Sequence, residues 1–446
     1  MSKKLQQDQI NKWANRLNSM PSSEQQKYIS NNSKQFKRPD ADLDCHKTEE
    51  YKEEWRDKWN AVDEVDRTAI IGKLPNFIGE IPEYATVDFL QTILNKLPNH
   101  KAPGSSQIPY EAYKYLDEDM VIELHKIFID ILQTGILPLI WSINAIIPVY
   151  KRGAIDVFKD HYRPLGMSEA MKKIFEAFVE PLIHHMFATE SDQYGFQKDL
   201  SCANAAADLN DKLDYLKSMN LIQNFSMTKM DVQSAFDKAM HSLIRKYINI
   251  KIKSPHIRCI LYQLFLLQAV YISIGNFKSM IMWLTCGIIQ GTKLSPKMFN
   301  AILNYAIHEN KEKMKGFLFI FADDILLLCN NRDIDNIKEE LVSRLATAGL
   351  NLSPDPNKCK KIEIGDKWLG MIMDTKGLPL ERQINYNISK AKAASARLRK
   401  QGIFKGKLLQ TILLSTFKSR IIPMLEYGIN WQLPVKLVLI SMITCS

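Results

Sequence analysis

The sequence has no pair of cysteines at metal-ligand or redox spacing. Its seven thiols, Cys45, Cys202, Cys259, Cys286, Cys329, Cys359 and Cys445, are scattered and odd in number. That leaves no C-x-x-C zinc or redox centre and no disulfide framework, and fits a reducing cytosolic or nuclear compartment. Long apolar runs are missing too. The most apolar stretch, Leu261 to Ile274, is broken by Gln263 and Gln268 and is too short to span a bilayer. Met1 to Lys4 leads into Gln-rich polar sequence without an apolar core, so no secretory signal is visible, and a soluble protein is expected. Internal repeats and low-complexity tracts are likewise missing, which excludes solenoids and fibrous arrays. Nor is there an acidic excess. Lys and Arg outnumber Asp and Glu by 59 to 49, a net charge of +10, which suits a polyanionic partner or simply a solvated basic surface.

What is present is a chain of 446 residues, long enough for two or three lobes with buried cores. Residues 1–75 are polar, with one charged helical run from Thr48 to Asn60, and read as an extension outside the core. From Thr86 the pattern changes. Thr86 is placed to cap a helix carrying Val87, Leu90, Leu94 and Leu97 before Pro98 stops it. A second amphipathic helix runs from Asp119 to Thr134, with Gly135 and Pro138 beyond, and Ala145 to Tyr150 reads as a strand. Strand regions follow at Phe225 to Val232 and Phe317 to Leu328, and helical composition at Asp333 to Ala348 and Ser389 to Lys400. That order indicates an α+β architecture.

The most informative segment is Phe317-Leu-Phe-Ile-Phe-Ala-Asp-Asp-Ile-Leu-Leu-Leu328, where Asp323 and Asp324 interrupt two apolar strands. Asp suits a tight turn, so a solvated hairpin tip is one reading. The other is that carboxylates held between apolar strands need a cation to offset desolvation and mutual repulsion, with Mg²⁺ the natural oxygen-seeking ion. Asp231, at the end of the strand in Met227-Thr-Lys-Met-Asp-Val-Gln-Ser-Ala-Phe-Asp237, supplies a second candidate. Phosphoryl transfer with two metals needs carboxylates from separate strands converging on ions about 3.5–4 Å apart. Asp231 and Asp323 meet that pattern.

These segments resemble the palm motifs of reverse transcriptases. FADD resembles their Y/F-A-D-D motif, and KMDVQSAFDKAMH (Lys229 to His241) is similar to D-V-x-x-A-F-D. Seven further stretches follow family order: HKAPGSSQIP from His100, IIPVYKRG from Ile146, HYRPLGMSEAMKKIFE from His161, QYGFQKDLS from Gln193, CGIIQGTKLSPKMFN from Cys286, GLNLSPDPNKCK from Gly349 and KWLGMIMD from Lys367. Nine motifs in one order weigh far more than any one alone. The set is most similar to reverse transcriptases of non-LTR retrotransposons.

The resemblance implies roles. Asp231, Asp323 and Asp324 would be the catalytic, metal-binding acids for two Mg²⁺ ions, with the Val232 carbonyl a further ligand, Mn²⁺ an alternative and Asp324 the nearby, less essential acid. Arg163 and Lys151 would meet the triphosphate, unless they are only surface charge. Gln290 and Gly291 would bring backbone against the incoming nucleotide, or form a plain turn. Lys358 stands where the family carries a general acid toward pyrophosphate, although the neighbouring Asp355-Pro356 insertion disturbs its register. Trp368, Leu369 and Gly370 would grip the primer, or Trp368 and Leu369 would be core. Phe236, five residues past Asp231, would block a 2′-hydroxyl and make the product DNA, unless it is only a core residue. Lys173 reads as an exposed, ion-pairing lysine, and Lys390, Lys392, Arg397, Arg399 and Lys400 as a phosphate-tracking helix or a solvated face.

The sequence also departs from the family, with Gly166 where Ser is usual, Gln197 for Arg, and Thr292-Lys293 after the Gln290-Gly291 pair. No metal ligand is lost. Leu425 to Trp431 resembles a late thumb motif, soon followed by the apolar stretch Val435 to Cys445. The extension is too short for an endonuclease, and nothing after residue 375 has the spaced acids of an RNase H. The expected architecture is a right-hand polymerase, with fingers over 76–215, a palm with a ferredoxin-like antiparallel sheet over 216–375, and a short or truncated helical thumb over 376–446. The expected activity is RNA-directed DNA synthesis from deoxynucleotides (dNTP) on an RNA template and a DNA or RNA primer, in the nucleus or cytoplasm. The alternative is a catalytically idle, RNA-binding remnant.

Overall fold

The computed structural model describes residues 43–59, 75–151, 161–308, 312, 314–400 and 410–429. The helices are α1 (Thr48–Trp59), α2 (Val87–Asn95), α3 (Tyr110–Lys114), α4 (Glu118–Thr134), α5 (Ala170–Ile183), α6 (Cys202–Ser218), α7 (Ala235–Lys238), α8 (His241–Lys251), α9 (Pro255–Phe265), α10 (Ser295–His308), α11 (Ile334–Ala346), α12 (Leu380–Lys400), α13 (Gln410–Thr416) and α14 (Ile422–Glu426). The strands are β1 (Ile143–Tyr150), β2 (Tyr162–Met167), β3 (Phe225–Asp231), β4 (Ala269–Ile274), β5 (Phe277–Lys278), β6 (Met282–Trp283), β7 (Phe317–Phe321), β8 (Asp324–Asn330), β9 (Lys360–Lys361), β10 (Lys367–Trp368) and β11 (Met371–Ile372). Helices and strands are thus mixed throughout. None of the described helices is long and apolar enough to cross a membrane.

The chain divides into two compact units, both discontinuous in sequence. The larger holds residues 42–198 and 230–360, the smaller residues 199–229 and those from 361 onward. Strand β3 passes from the smaller into the larger, so that Met230 and Asp231 belong to the latter.

Local chemistry sets the helix ends of the larger unit. Thr86 accepts a hydrogen bond from Phe89 N at 3.2 Å to start α2, and Asp117 does the same for Met120 N at 2.9 Å to start α4. Gly135, at φ +72°, ends α4. One face of each helix is buried in a core where Phe128, Phe175, Phe178 and Trp141 pack ring on ring; the Phe128 and Phe175 centroids are 5.2 Å apart. Truncating such a ring costs roughly 3–5 kcal/mol.

Beside this core lies a five-stranded sheet in the order β2-β1-β4-β5, with β6 also on β4. β1 is antiparallel to β2, with Val149 opposite Arg163, and parallel to β4, with Ile146 opposite Ile272. The charged run at Thr48 is not a bare extension, contrary to the sequence reading. Tyr51, Trp55 and Trp59 recur every four residues on α1, and both tryptophans are buried against Ile146, Tyr162, Val270, Ile272 and Leu284 of the sheet. Three aromatics at helical spacing were the signal, masked by the nine polar residues around them.

Between sheet and α5 lies a buried polar network. Ser168 Oγ donates to Asn144 Oδ1 at 2.6 Å, while Asn144 Nδ2 and Lys172 Nζ both donate to Gln268 Oε1, at 3.0 and 2.8 Å. Burial pushes Lys172 down to about 8, opposed by the nearby Glu176. Glu176, itself buried and raised by desolvation, accepts Lys293 N and Leu294 N at 2.7 and 3.3 Å, fixing the loop before α10.

In the smaller unit, α12 packs Ala391, Ala394 and Leu398 against Ile412 and Ile421. The β10–β11 hairpin docks on α12 through Ile372 N to Gln383 Oε1 at 2.7 Å. Residues 1–42, Gly153, 401–407, 430–431 and Val435 to Cys445, on which parts of the sequence reading fall, lie outside the described residues.

Candidate active site

Asp231 sits at the last position of β3, and its backbone is held from three sides. Its carbonyl accepts Ser353 N at 2.7 Å, its N–H points to Cys359 Sγ at 3.4 Å, and Val232 N donates to the Asp323 carbonyl at 3.1 Å. The last bond joins the two acid-bearing segments. Asp323 follows Ala322 in the turn between β7 and β8, closed by the pair Phe321 and Asp324. Ala322 has φ +57°, a conformation that a residue with a Cβ adopts only when held there. Gln193 does the holding: its buried Oε1 accepts Ala322 N at 3.1 Å and Gly195 N at 2.8 Å, while Tyr194 N donates to Ile320 O at 2.8 Å.

Asp231, Val232 and Asp323 line a cleft of about 920 Å³ whose walls carry Lys58, Lys151, Arg163, Phe236, Asp237, Gln290 and Lys358. Asp324 is not among the lining residues; it begins β8 instead. Burial raises the pKa of Asp323, the negative charge of Asp231 raises it further, and Arg163 and Lys358 only partly offset this. Lys358 Nζ donates to Asp231 Oδ2 at 2.9 Å. Burial pulls Lys358 down, but the bond to Asp231 and the charges of Asp231, Asp355 and Asp323 outweigh it and leave its pKa raised. Two carboxylates thus share a cleft in which an ammonium already takes a cation's place. With the Val232 carbonyl they form an all-oxygen set of the kind Mg²⁺ prefers, so the residues fit that ion.

Cations share the cleft with these acids. Lys151 is lowered by burial first and then by Lys58 and Arg163, against Asp237, which favours its charge. Asp237 is buried and raised by desolvation, eased by Lys58, by Trp59 Nε1 at 3.4 Å and by Lys151. Phe236 stacks on Phe299 with centroids 4.6 Å apart and meets the edge of Phe196 at 6.4 Å.

Gln290 and Gly291 press on β2 rather than forming an isolated turn. Gly166 N donates to Gln290 O at 2.6 Å, and Gly291, at φ +117°, lies so close that a Cβ there would overlap the Gly166 carbonyl. A Cβ on Gly166 would in turn overlap Ile289 and come within 2.8 Å of Gln290 O. The departure from Ser at 166 therefore has a local cause, and the close approach that calls for Gly291 is to Gly166. Lys173 is not an exposed residue: half-buried and lowered by desolvation, it lines a second groove of about 1010 Å³ with Lys96, Lys101 and Lys293. Trp368, Leu369 and Gly370 lie in the smaller unit. Trp368 is buried, while Leu369 and Gly370, at φ +50° and +77°, form the hairpin tip, with the Leu369 carbonyl accepting the Tyr427 hydroxyl.

Sequence reasoning missed Lys58, Gln193 and Cys359 as parts of this site. Lys58 was hidden in a charged run, and the other two act through backbone atoms of residues far away in sequence.

Residues 149–373, which contain every one of these cleft residues except Lys58, match the family model described as reverse transcriptase (RNA-dependent DNA polymerase). The chain belongs to the reverse transcriptase family. Among similar reverse transcriptases, the RNA-directed DNA polymerase from mobile element jockey of Drosophila melanogaster is 21% identical over 389 residues, covering 77% of this chain and 41% of that one. The probable RNA-directed DNA polymerase from transposon BS of the same organism is 22% identical over 272 residues, covering 58% and 30%. The chain thus spans less than half the length of these relatives. A solved telomerase from Candida albicans is similar at 11% identity and a TM-score of 0.40, covering 68% of this chain and 64% of that one.

Proposed function

We propose that the protein is an RNA-directed DNA polymerase of a non-LTR retrotransposon, extending a primer 3′-hydroxyl with deoxynucleotides on an RNA template. The observation that carries this reading is the meeting of Asp231 and Asp323 in one cleft, joined through Val232 N and lined as well by Lys58, Lys151 and Arg163. Asp231, Asp323 and the Val232 carbonyl would hold two Mg²⁺ ions, or Mn²⁺, which when bound activate the primer hydroxyl and neutralise the triphosphate. Asp324 would tune the field of the site without ligating, since it lies off the cleft.

The chain's own groups then divide the work. Arg163 and Lys151 orient the triphosphate, Arg by bidentate pairing and Lys as a point charge. Lys358 holds its proton firmly next to Asp231 and donates it to the departing pyrophosphate. Phe236, braced by Phe299, stands where a 2′-hydroxyl would collide. Gln290, pinned to Gly166, lines the cleft where the base would lie, while Gly291 next to it lines the second groove. Lys96, Lys101 and Lys173, with Lys293 paired to Glu180 at 2.8 Å, around a largely apolar groove suit a single-stranded template.

In this reading the five-stranded sheet and its helices are fingers, the segments around Asp231 and Asp323 are palm, and α12 to α14 are thumb. The thumb part is supported by a pocket of about 680 Å³ lined by Lys390, Arg397 and Arg420 together with Gly370 at the tip of the proposed primer grip. The test is primer extension by the purified full chain on an RNA template with Mg²⁺ and all four deoxynucleotides, beside Asp323→Asn. Extension by the wild type and its loss in the variant, with RNA binding kept, is expected. RNA binding without extension by the wild type would replace the polymerase with a catalytically idle remnant.

A further inference from the structure

We propose that Lys58, delivered by α1, is a third triphosphate-binding cation of the cleft, beside Lys151 and Arg163. This rests on the reading of the cleft as a nucleotide site. Lys58 lies outside the matched region, next to Trp59 on a helix whose polar residues outnumber its aromatics.

The end of α1 is tied to the cleft by several independent bonds. The Trp59 carbonyl accepts Thr285 N and Cys286 N, both at 3.1 Å, and Thr285 Oγ1 at 2.9 Å. The Trp59 indole N–H reaches Asp237 Oδ1 at 3.4 Å, and Trp55 and Trp59 are buried in the sheet core. Lys58 therefore has little freedom to leave: its backbone is fixed, and its half-buried side chain lines the same cavity as Asp231 and Asp323. A cation in the last turn of a helix is also favoured by the peptide dipoles of that helix.

The charge balance then decides what the cation is for. Lys58, Lys151 and Arg163 line the cleft together, and Lys151 feels Lys58, Arg163 and Lys358 as repelling neighbours. The buried acid Asp237 is eased by Lys58, Lys151 and Lys238. The whole lining carries five cations, Lys58, Lys151, Arg163, Lys238 and Lys358, against four acids, Asp231, Asp237, Asp323 and Asp355. That surplus, larger still were Asp231 and Asp323 to hold Mg²⁺, is unfavourable in a partly desolvated cleft until a multiply charged anion enters, and a triphosphate carries three to four negative charges within a few ångströms. The competing account is that Lys58 exists only to offset Asp237. The two differ in what happens when both residues are neutralised together.

The experiment is calorimetric binding of Mg²⁺-tripolyphosphate to the full chain, which needs no catalysis. Lys58→Ala should weaken binding roughly tenfold or more, the range of one charge-assisted hydrogen bond, and Lys58→Arg should keep most of the affinity. The double variant Lys58→Met with Asp237→Asn should stay as weak as Lys58→Ala. Unchanged affinity in Lys58→Ala, no binding by the wild type, or recovery in the double variant would overturn the proposal. Should these variants fail to fold, acetylation of the wild type followed by mass spectrometry gives the same answer: tripolyphosphate should protect Lys58 together with Lys151, and an unprotected Lys58 refutes it. Primer extension by the wild type separates the two readings. No extension with binding lost in Lys58→Ala rejects the polymerase and keeps the polyphosphate site, and extension with binding unchanged does the reverse.

Discussion

Replacing Gly291 with alanine tests whether the contact between the Gln290-Gly291 loop and β2 shapes the cleft. The added methyl meets two obstacles. At φ +117° the backbone is in a region that only glycine adopts easily, which costs roughly 1–3 kcal/mol. The new Cβ also overlaps the Gly166 carbonyl oxygen, a backbone atom that cannot swing aside, adding about 1–3 kcal/mol of overpacking. Gly166 N is itself bonded to Gln290 O at 2.6 Å, so the cheapest relief is for the loop to peel from β2 and break that bond. Gly275→Ala is the control: its φ is +59° and no atom lies within 4 Å of the new methyl, so it carries the backbone cost alone, about 1–2 kcal/mol. Thermal melting and single-turnover extension over a range of dNTP concentrations are the assays. Gly291→Ala should melt below Gly275→Ala and lose about 100-fold in kcat/KM, the scale of a misplacement near 1 Å at a reacting centre. Equal melting and equal kinetics for the two variants would refute the reasoning.

Lys358→Ala should lower the Mg²⁺ concentration needed for half-maximal extension while slowing the chemical step, because the ammonium now bonded to Asp231 competes with the ion; a higher Mg²⁺ requirement would contradict this. Phe236→Val should admit ribonucleotides more readily, and an unchanged ratio of ribonucleotide to deoxyribonucleotide incorporation in a folded variant would remove the steric role. Lys172, at about 8, is neutral in the folded protein above that pH, while the unfolded chain keeps the proton up to the ordinary value of 10.5. Stability should therefore rise with pH between about 8 and 10.5, a slope that denaturant melts should find flattened in Lys172→Met.

The acids were legible because an aspartate in an apolar strand contradicts its surroundings, and the helix starts at Thr86 and Asp117 were legible because capping is local chemistry. Only the family resemblance set Asp323 apart from Asp324 in the sequence. Their difference arises because one is the turn and the other opens β8, where it pairs with Phe321. Gly166 read as a departure from a motif because its reason, the backbone of Gln290 and Gly291, is supplied more than a hundred positions later. The two compact units could not be read either: composition does not change at 199 or 361, and only tertiary contacts separate them. Lys58 was lost among charges of both signs, since a single chain does not say which lysine of a helix faces a cleft.

The ties around Asp231 also bear on how the chain is made. Lys358, which bonds the Asp231 carboxylate, follows it by 127 residues, and Ser353 and Cys359, which fix its backbone, emerge from the ribosome in the same stretch. At a synthesis rate of about 5–20 residues per second, roughly 6–25 seconds separate the exit of the first acid from that of its supports. Early in that interval β1 still lacks β4, made at residues 269–274, and until residue 323 the strand ending in Asp231 has no Asp323 to meet, so apolar edges stay open to other chains. A nascent chain stalled before Asp323 would carry open strand edges and lack the second acid of the cleft, making prompt synthesis of the stretch up to Lys358 a condition for burying those edges.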